Sequence, residues 1–356
     1  MSKSHRRTPW WSWWLLILTV VLGLGLVTPP AHASPPVRGR FTEAPAPPPD
    51  PLATVGQVGP AIVDIDAQLG YQNAVGAGTG IVLDPNGEVL TNNHVIAGAT
   101  DIKARDIGNG QSYDVDVVGY DRSHDIALLR LRGASGLPTA NLGDSSQVAI
   151  GEPVVALGNA GGVGGTPSAV AGHVTALNQT VTASDALTGS SETLSGLIQM
   201  DAAIRPGDSG GPTVNAANQV IGMNTAASDN YKFSGGGTGF AIPINQARAI
   251  AGQIRAGAAS ATVHIGPTPF LGVGVTDHGG NGAKVVRVLP NAPAAQAGIA
   301  KEDVITAVDG QPVDSATALT SILDQHHPGD TISLSWHGPL TGEHTANVTL
   351  TEGPPG

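Results

Sequence analysis

The sequence predicts a mainly β domain at residues 52–257, followed by a small α+β domain at residues 262–352. In the first region, short apolar runs rich in β-branched residues alternate with Gly, Asn and Asp turns, as in all-β barrels and sandwiches. The second region alternates strand-like runs with two helical patterns, as in small α+β domains. A linker of small residues at 258–261 separates the two domains.

Each predicted strand of the first domain is a short apolar run bounded by turn residues, and Asp84-Pro85-Asn86-Gly87 is an example of such a turn. The runs are Ala61–Ile65, Gly80–Leu83, Val115–Val118, Ile126–Leu131, Pro153–Leu157 and Val220–Met223. One helix is predicted at Ile244–Arg255, because its apolar residues fall on one face at helical spacing.

The second domain contains five strand-like runs and two helical candidates. The strand-like runs are Leu271–Val275, Lys284–Val288, Asp303–Val308, Thr331–Trp336 and Thr345–Leu350. The helical candidates are Ala292–Ala297 and Ser315–Gln325. Residues 353–356 are expected to form a short tail.

The first 33 residues have the layout of a secretory signal peptide. Lys3, Arg6 and Arg7 precede an apolar run at residues 10–27, and the small residues of Ala31-His32-Ala33 form a cleavage site. We expect cleavage after residue 33. A retained membrane anchor is the alternative, because the apolar run is nearly long enough to span a bilayer. The Pro-rich residues 34–51 are expected to form an extended tether.

The composition excludes several classes of function. The net charge of the 356-residue chain is −11 at pH 7, and residues 1–33 carry three basic and no acidic side chains, so the cleaved chain has a net charge of −14. This acidity argues against nucleic acid or an anionic membrane as a partner. The absence of cysteine excludes disulfides, thiolate nucleophiles and cysteine-ligated metals. The histidines form no H-E-x-x-H pattern, so we expect no metal and no cofactor.

One loop has the composition expected around a nucleophile. Ile204–Pro212 places Ser209 among Gly207, Gly210 and Gly211, and glycines let a substrate come close to backbone N–H groups. The N–H groups of Gly207 and Ser209 could bind the oxygen of an attacked carbonyl together, as acyl transfer requires. A Gly-rich turn without a catalytic role is the alternative until a base and an orienting acid are found.

Two further motifs supply that base and that acid. His94 follows a predicted strand and two asparagines, and Asp125 directly precedes the apolar run at 126–131. Each residue alone is ordinary, because histidines are more often surface or core residues and an aspartate before a strand usually belongs to a turn. In the order His94, Asp125, Ser209 they supply a base, its orienting carboxylate and a nucleophile.

Three phrases of the sequence resemble the catalytic motifs of the HtrA (Deg) family of trypsin-like serine proteases: Thr91–Val95, His124–Leu129 and Gly207–Pro212. Gly151–Asn159 and Gly239–Pro243 resemble that family as well. The resemblance spans nearly all of the chain after residue 33 and is nearest to the secreted mycobacterial-type members. It implies a chymotrypsin-like double antiparallel β-barrel with the active site in the cleft between the barrels.

The resemblance also assigns roles to the site residues. His94 would take the proton of Ser209 and later give it to the leaving amine, while Asp125 would orient the imidazole and stabilise the imidazolium. The N–H groups of Gly207 and Ser209 would form the oxyanion hole.

Asp208 departs from this family, whose members commonly carry Asn before the serine. Digestive trypsin-like enzymes carry Asp there and pair it with a newly freed N-terminus, but no matching activation sequence precedes this domain. The partner of Asp208 is therefore open, and Arg205 is a candidate through its proximity in sequence alone.

In the trypsin-like layout, the residue six before the serine sets the charge of the S1 pocket. Here it is Ala203, followed by Ile204, so no carboxylate is available for Lys or Arg and we expect small or medium aliphatic P1 side chains. The strand Met223-Asn224-Thr225 is expected to pair with extended substrate. The polar stretches Gln179–Glu192 and Ala227–Gly237 correspond to regulatory loops of the family or are plain surface loops.

The second domain resembles a PDZ module, through the phrases Pro290–Ile299 and Val308–Val313. The segment Phe270–Val275 resembles its carboxylate-binding loop and first pairing strand.

This resemblance implies that a peptide C-terminus pairs along Val273 while its carboxylate meets N–H groups near Leu271 and Gly272. Leu319 and Leu323 lie four apart on the predicted helix and could line the side-chain pocket. Packing in the core is the equal alternative for both leucines.

Together these patterns predict a secreted serine endopeptidase, extracellular or associated with the cell wall, that cleaves unfolded or misfolded polypeptides and binds peptide C-termini through its PDZ domain. A peptide-binding or chaperone-like protein with an idle protease fold is the alternative. The complete triad argues against it, because an inactive relative need keep none of the three residues. The resemblance also implies a homotrimer, although only Phe41 and Tyr71 represent the aromatic N-terminal contact of the relatives.

Overall fold

The structure, a computed structural model, describes residues 46–185, 191–225, 231–234 and 239–356, with the backbone alone at 183–185, 191–192 and 231–234. The predicted signal peptide at 1–33, most of the predicted tether at 34–51 and Phe41 lie outside the described residues. Residues from Pro45 to Gly356 form one unit. No helix within the described ranges is long and apolar enough to cross a membrane.

Two antiparallel β-barrels precede a smaller mixed domain, which confirms the predicted fold class. The strands of the first barrel are β1 (Ile62–Leu69), β2 (Ala74–Asp84), β3 (Glu88–Thr91), β4 (Asp101–Asp106), β5 (Ser112–Asp121) and β6 (Ile126–Leu131). Those of the second barrel are β7 (Pro153–Gly158), β8 (Ser168–Asp185), β9 (Ser191–Met200), β10 (Pro212–Val214), β11 (Val220–Thr225), β12 (Tyr231–Ser234) and β13 (Gly239–Pro243). The helices that accompany them are α1 (Pro51–Val58), α2 (Asn93–Ile96) and α3 (Ile244–Arg255).

The first barrel runs in the order β5-β4-β1-β2-β3-β6 and closes because β5 also pairs with β6. Successive residues of a strand point to opposite faces, and both faces of β6 are buried. Ala127 and Leu129 pack inside the first barrel, whereas Ile126 and Leu128 pack in the core between the two barrels. This double burial explains why nearly every residue after Asp125 in that strand is apolar.

The second barrel runs in the order β12-β8-β7-β10-β11-β13-β9 and closes through the pairing of β8 with β9. Helix α3 has the predicted bounds Ile244–Arg255. Its apolar face, which includes Ala247, Ala251 and Ile254, packs against the core between the barrels. The helix therefore covers the seam along which the two barrels meet.

The C-terminal domain combines a β-sheet with two short helices around its own core. Its elements are β15 (Thr268–Phe270), β16 (Val273–Asp277), β17 (Ala283–Val288), α4 (Pro293–Gln296), β18 (Val304–Val308), β19 (Gln311–Pro312), α5 (Ala316–Leu323), β20 (Thr331–Gly338), β21 (Gly342–Thr349) and β22 (Thr351–Gly353). The main sheet has the order β16-β17-β18-β20-β21, with β19 beside β18, and β15 pairs with β22.

The boundary expected at residue 262 differs from the observed one. The strand β14 (Val263–Ile265) pairs with β5 of the first barrel, with Val263 opposite Asp121. The start of the predicted α+β domain therefore adds a strand to the sheet of the first barrel. Since alternating apolar residues predict a strand but not its partner, the sequence could not reveal this.

Several contacts join the C-terminal domain to the first barrel. The Arg122 guanidinium and the Tyr120 hydroxyl both donate to the carboxylate of Asp324, which directly follows α5. The ring of Tyr71 stacks on Phe270 with the ring centroids 5.4 Å apart. Tyr71, which the resemblance connects with a trimer contact, thus packs against its own chain.

The tail at 353–356 also meets the first barrel. The Gly98 N–H donates to the carbonyl oxygen of Pro355 at 2.7 Å. The Asn93 side-chain amide donates to the carbonyl oxygen of Gly356 at 3.0 Å. The tail therefore lies against α2, the helix that carries His94.

Candidate active site

His94 lies in the single turn of α2, directly after β3. Asn92, two residues before His94, is fully buried and donates from its side-chain amide to the backbone oxygen of Asp125 at 3.0 Å. The backbone N–H of His94 donates to Asp125 Oδ1 at 3.0 Å. The asparagine before α2 thus ties the segment of the histidine to the segment of the aspartate.

Asp125 lies between the 3-10 turn Arg122–His124 and β6, with a left-handed backbone at φ 55° and ψ 48°. Asp tolerates this region better than most residues, and such conformations persist only where the surroundings enforce them. Here the Asp125 N–H donates to the Arg122 carbonyl oxygen at 3.1 Å, and the Asp125 carbonyl oxygen accepts from the Asn92 side chain. Asp125 itself is buried.

The three predicted catalytic side chains meet in one hydrogen-bonded chain. His94 Nδ1 lies 2.9 Å from Asp125 Oδ2 and 3.0 Å from Asp125 Oδ1. His94 Nε2 lies 3.0 Å from Ser209 Oγ. Because a carboxylate only accepts, the Nδ1 proton belongs to the contact with Asp125, which leaves Nε2 to accept from the serine hydroxyl.

Thr225 adds a contact that the sequence did not predict. Its hydroxyl donates to Asp125 Oδ2 at 3.2 Å, and the residue is fully buried. The carboxylate therefore receives donors from the backbone and ring of His94 and from a residue 100 positions along the chain. Hydrogen bonds to the charged form of a buried carboxylate offset part of its desolvation.

Glycine is required at position 207 by close contacts. Its φ is 97°, and a Cβ there would lie 2.1 Å from the backbone oxygen of Asn159. The carbonyl oxygen of Pro206 accepts from the Gly161 N–H at 2.7 Å. Since C=O and N–H of a trans peptide point in opposite directions, the Gly207 N–H points away from the loop around Gly161.

The first barrel holds this serine loop through Thr79 of β2. The Thr79 hydroxyl donates to the Gly207 carbonyl oxygen at 2.7 Å, and its N–H donates to the Ser209 carbonyl oxygen at 2.8 Å. Gly210 has φ 83°, and a Cβ there would lie 2.0 Å from the Thr79 oxygen. The glycines on either side of Thr79 make room for the side chains of Val95 and Val89, so no local pattern in the sequence marks Thr79 for this contact.

The open question of Asp208 has an answer in the structure. Asp208 is buried; its Oδ1 accepts from the Ser168 hydroxyl at 2.7 Å and its Oδ2 accepts from the Arg205 backbone N–H at 2.8 Å. The candidate Arg205 thus contributes its backbone amide, while the residue as a whole is exposed.

Behind the loop that contacts Gly207, Asp64 of β1 is buried and accepts from the Gly165 N–H at 3.1 Å. Burial raises the pKa of Asp64 from its ordinary value of 3.8 to about 6, partly offset by the Gly165 hydrogen bond; the nearby Asp66 raises it further and Arg105 lowers it. Loop 159–165 therefore rests on a carboxyl that titrates near neutral pH.

The strand Met223-Asn224-Thr225, which was expected to pair with substrate, pairs largely with neighbouring segments of the second barrel. Met223 is opposite Pro212 on one side and Ile242 on the other. The Asn224 N–H and C=O bond to Gly211 and Gly210. Both edges are therefore occupied at Met223 and Asn224, which corrects their expected pairing with substrate and leaves Thr225 of the three predicted residues.

The structure describes only part of the surroundings of the two predicted S1 residues. Ala203 is exposed and Ile204 is half-buried against the core of the second barrel. Residues 226–230 and 235–238, together with the tip of the predicted loop at 179–192, lie outside the described residues. The predicted loop at 227–237 is represented by the backbone of β12 alone.

In the C-terminal domain, β16 is the end strand of its sheet. Leu271 is buried, Val273 is half-buried, and Gly272 has φ 81° with its Cβ position 2.1 Å from Ala292 Cβ. Leu319 lies in the domain core, whereas the other predicted pocket residue, at position 323, is partly buried against that core. The described part of the chain contains no cluster of three or more His, Asp or Glu residues able to hold a metal.

Comparisons with known proteins agree with this architecture. Residues 78–223 match the trypsin-like peptidase domain, and residues 269–337 match the PDZ domain. Serine protease PepD of Mycobacterium tuberculosis is 39% identical over 310 residues, which cover 83% of this chain and 64% of PepD. The putative serine protease HhoA of Synechocystis is 37% identical over 295 residues, covering 77% of this chain and 70% of HhoA.

Periplasmic serine endoprotease DegP of Escherichia coli K12 is 34% identical over 290 residues, covering 78% of this chain and 57% of DegP. The chain thus spans between 57% and 70% of the length of these three relatives. With the two matched domains in the same order as the two folded regions, the chain belongs to the HtrA (Deg) family of trypsin-like serine proteases with a PDZ domain.

Proposed function

We propose that the protein is a serine endopeptidase that hydrolyses peptide bonds of unfolded or misfolded polypeptides through an acyl-enzyme. The observation that carries this proposal is the 3.0 Å contact between His94 Nε2 and Ser209 Oγ. A general base must lie within hydrogen-bond reach of the proton that it removes, and His94 meets that requirement without movement.

In the first step, Ser209 Oγ attacks the scissile carbonyl carbon and its proton passes to His94 Nε2. The imidazolium that forms is stabilised by Asp125 through the Nδ1 contact. When the tetrahedral intermediate collapses, the Nε2 proton goes to the leaving amine and the acyl group stays on the serine. Water then repeats the sequence and releases the acid.

The carbonyl oxygen that becomes negative needs donors that are already in place. The contact between Pro206 and Gly161 turns the Gly207 N–H away from loop 159–165, which supports Gly207 and Ser209 as the oxyanion hole. Removing one such donor costs about 3–4 kcal/mol of transition-state stabilisation in other enzymes.

The S1 pocket at Ala203 and Ile204 favours aliphatic P1 residues, since neither side chain can balance a positive charge. The free edge of β16 supports binding of peptide C-termini to the PDZ domain by strand addition, with Leu271, Gly272 and Val273 near the carboxylate. The predicted signal peptide and the periplasmic naming of DegP support export. A homotrimer remains a prediction.

The proposal is tested by labelling with a fluorophosphonate and by hydrolysis of an unfolded protein. The parent enzyme should take the label and cleave, and Ser209→Ala should do neither while keeping the parent's thermal unfolding midpoint. Ser146→Ala, an exposed serine far from the site in sequence, is the control and should behave as the parent. A parent that folds but takes no label would favour the idle-barrel alternative, and turnover by Ser209→Ala would exclude Ser209 as the nucleophile.

A further inference from the structure

Asp208 is a buried acidic residue directly before Ser209, and its exposed fraction is 2%. The ion pairs within the described ranges do not include it. A carboxylate removed from water in this way is costly unless other groups donate hydrogen bonds to it. The residues that donate to Asp208 therefore determine whether it stays inside.

The side-chain donor is Ser168, the first residue of β8. Its Oγ lies 2.7 Å from Asp208 Oδ1 and 2.9 Å from the carbonyl oxygen of Gly158. A hydroxyl has one proton, and a charged acceptor takes the stronger bond. The shorter contact is therefore the one that Ser168 donates, and the Ala160 N–H, 3.3 Å away, donates to Ser168 Oγ in turn.

The neighbouring strand is shaped to admit this carboxylate. Gly158 and Ser168 are opposite each other across β7 and β8. A Cβ at Gly158 would lie 2.5 Å from Asp208 Cα and 2.7 Å from Asp208 Oδ1. The missing side chain at 158 makes the space that Asp208 occupies, and Ser168 supplies the donor at its edge.

The backbone of Asp208 lies between the two proposed oxyanion donors, Gly207 and Ser209. The Asp208 N–H donates to the Arg205 carbonyl oxygen at 3.0 Å, and its Oδ2 accepts from the Arg205 N–H at 2.8 Å. These bonds close a tight turn around residues 205–208. If the side chain turned out to solvent, the Arg205 N–H would lose its acceptor, and the turn that places the Gly207 and Ser209 N–H groups would lose one of these two bonds.

We propose that Ser168 is a positioning residue that keeps the oxyanion loop in its working shape by holding the buried Asp208 carboxylate. The Ser168 hydroxyl thereby has the role toward this aspartate that a freed N-terminal ammonium has in digestive trypsin-like enzymes. This inference rests on the proposed peptidase function for its kinetic consequence, but the loop contact itself does not depend on that function.

The test compares Ser168→Ala, Ser168→Thr and Ser146→Ala. The Ser146 hydroxyl donates to Asp144 Oδ1 at the same 2.7 Å, but on an exposed turn, so it is a matched control. We expect Ser168→Ala to lower kcat roughly 10- to 100-fold, up to the loss seen when an oxyanion donor is removed, with KM changed less than threefold. Ser168→Thr, which keeps the hydroxyl, and Ser146→Ala should stay within about threefold of the parent.

A second readout is amide hydrogen exchange of the segment 203–211, measured by mass spectrometry. It should speed up in Ser168→Ala, while exchange in the strand at 126–131 stays as in the parent. This measurement separates the two proposals, because a parent that neither cleaves nor takes a fluorophosphonate would refute the peptidase function and leave the exchange comparison valid.

Asp208→Asn provides the decisive background if Ser168→Ala folds poorly. Without the charge on residue 208, loss of the Ser168 hydroxyl should matter much less, so the two changes should couple in a double-mutant cycle. Equal effects of Ser168→Ala in both backgrounds, or parent-like kcat and exchange in Ser168→Ala, would overturn the inference.

Discussion

Replacing Asp64 by Asn should stabilise the protein at neutral pH and have no effect in acid. Asn is nearly isosteric and keeps an oxygen to accept the Gly165 N–H, so the change removes mainly the charge. The gap between about 6 in the folded protein and the ordinary 3.8 corresponds to roughly 3 kcal/mol, at about 1.36 kcal/mol per pKa unit. This is an upper limit, equivalent to a rise in Tm of roughly 6–12 °C for a domain of this size.

The sign follows from the direction of the pKa shift. Because the folded pKa lies above the unfolded one, the folded protein holds the Asp64 proton more tightly, and this favours folding below pH 4. The stabilisation is lost as the pH rises through about 6. The variant has no such loss, so the difference in Tm should be near zero at pH 4, grow through pH 6 and level off above pH 7.

The assay is thermal unfolding from pH 4 to pH 8, carried out in the Ser209→Ala background so that self-cleavage cannot distort the transitions. Asp101→Asn is the matched control, since Asp101 lies in the neighbouring strand β4, is exposed and is not among the groups that shift the pKa of Asp64, so its Tm difference should stay small across this range. A Tm difference for Asp64→Asn that is independent of pH, or that is largest in acid, would refute the reasoning.

Two further substitutions test contacts that only the structure revealed. Thr225→Val removes a hydroxyl from Asp125 and should lower kcat for a peptide substrate roughly tenfold with little change in KM; an unchanged kcat would show that the contact has no catalytic value. Arg122→Ala leaves the half-enclosed carboxylate of Asp324 without its cation and should lower unfolding stability by roughly 3 kcal/mol, measured by calorimetry. Arg132→Ala, which breaks an exposed ion pair, is the control and should change stability by less than about 0.5 kcal/mol; equal losses in the two variants would contradict a special role for Arg122.

The meeting of His94, Asp125 and Ser209 could be predicted from sequence because their segments carry local signatures. Asp125 precedes a strand buried on both faces, and Ser209 lies among glycines whose positive φ and close contacts leave no room for side chains. The bounds of helix α3 could be predicted because the helical spacing of its apolar residues matches the face that the helix buries.

The supporting contacts could not be predicted, because they join segments far apart in the chain. Thr79 reaches Gly207 across 128 positions and Thr225 reaches Asp125 across 100. Ser168 reaches Asp208 because the register between β7 and β8 places it opposite Gly158. A single sequence does not specify that register. The same reason explains why the domain boundary expected at residue 262 did not anticipate the pairing of β14 with β5.

The division of the site between two barrels bears on how the chain is made. The first barrel, which carries His94 and Asp125, is synthesised before Ser209 exists, and domains generally fold as they emerge. Thr79 can bind the loop of Ser209 only after the second barrel has packed against the first. A nascent chain therefore holds the base and the acid before it holds the nucleophile, and the three side chains can meet only once the second barrel has been made.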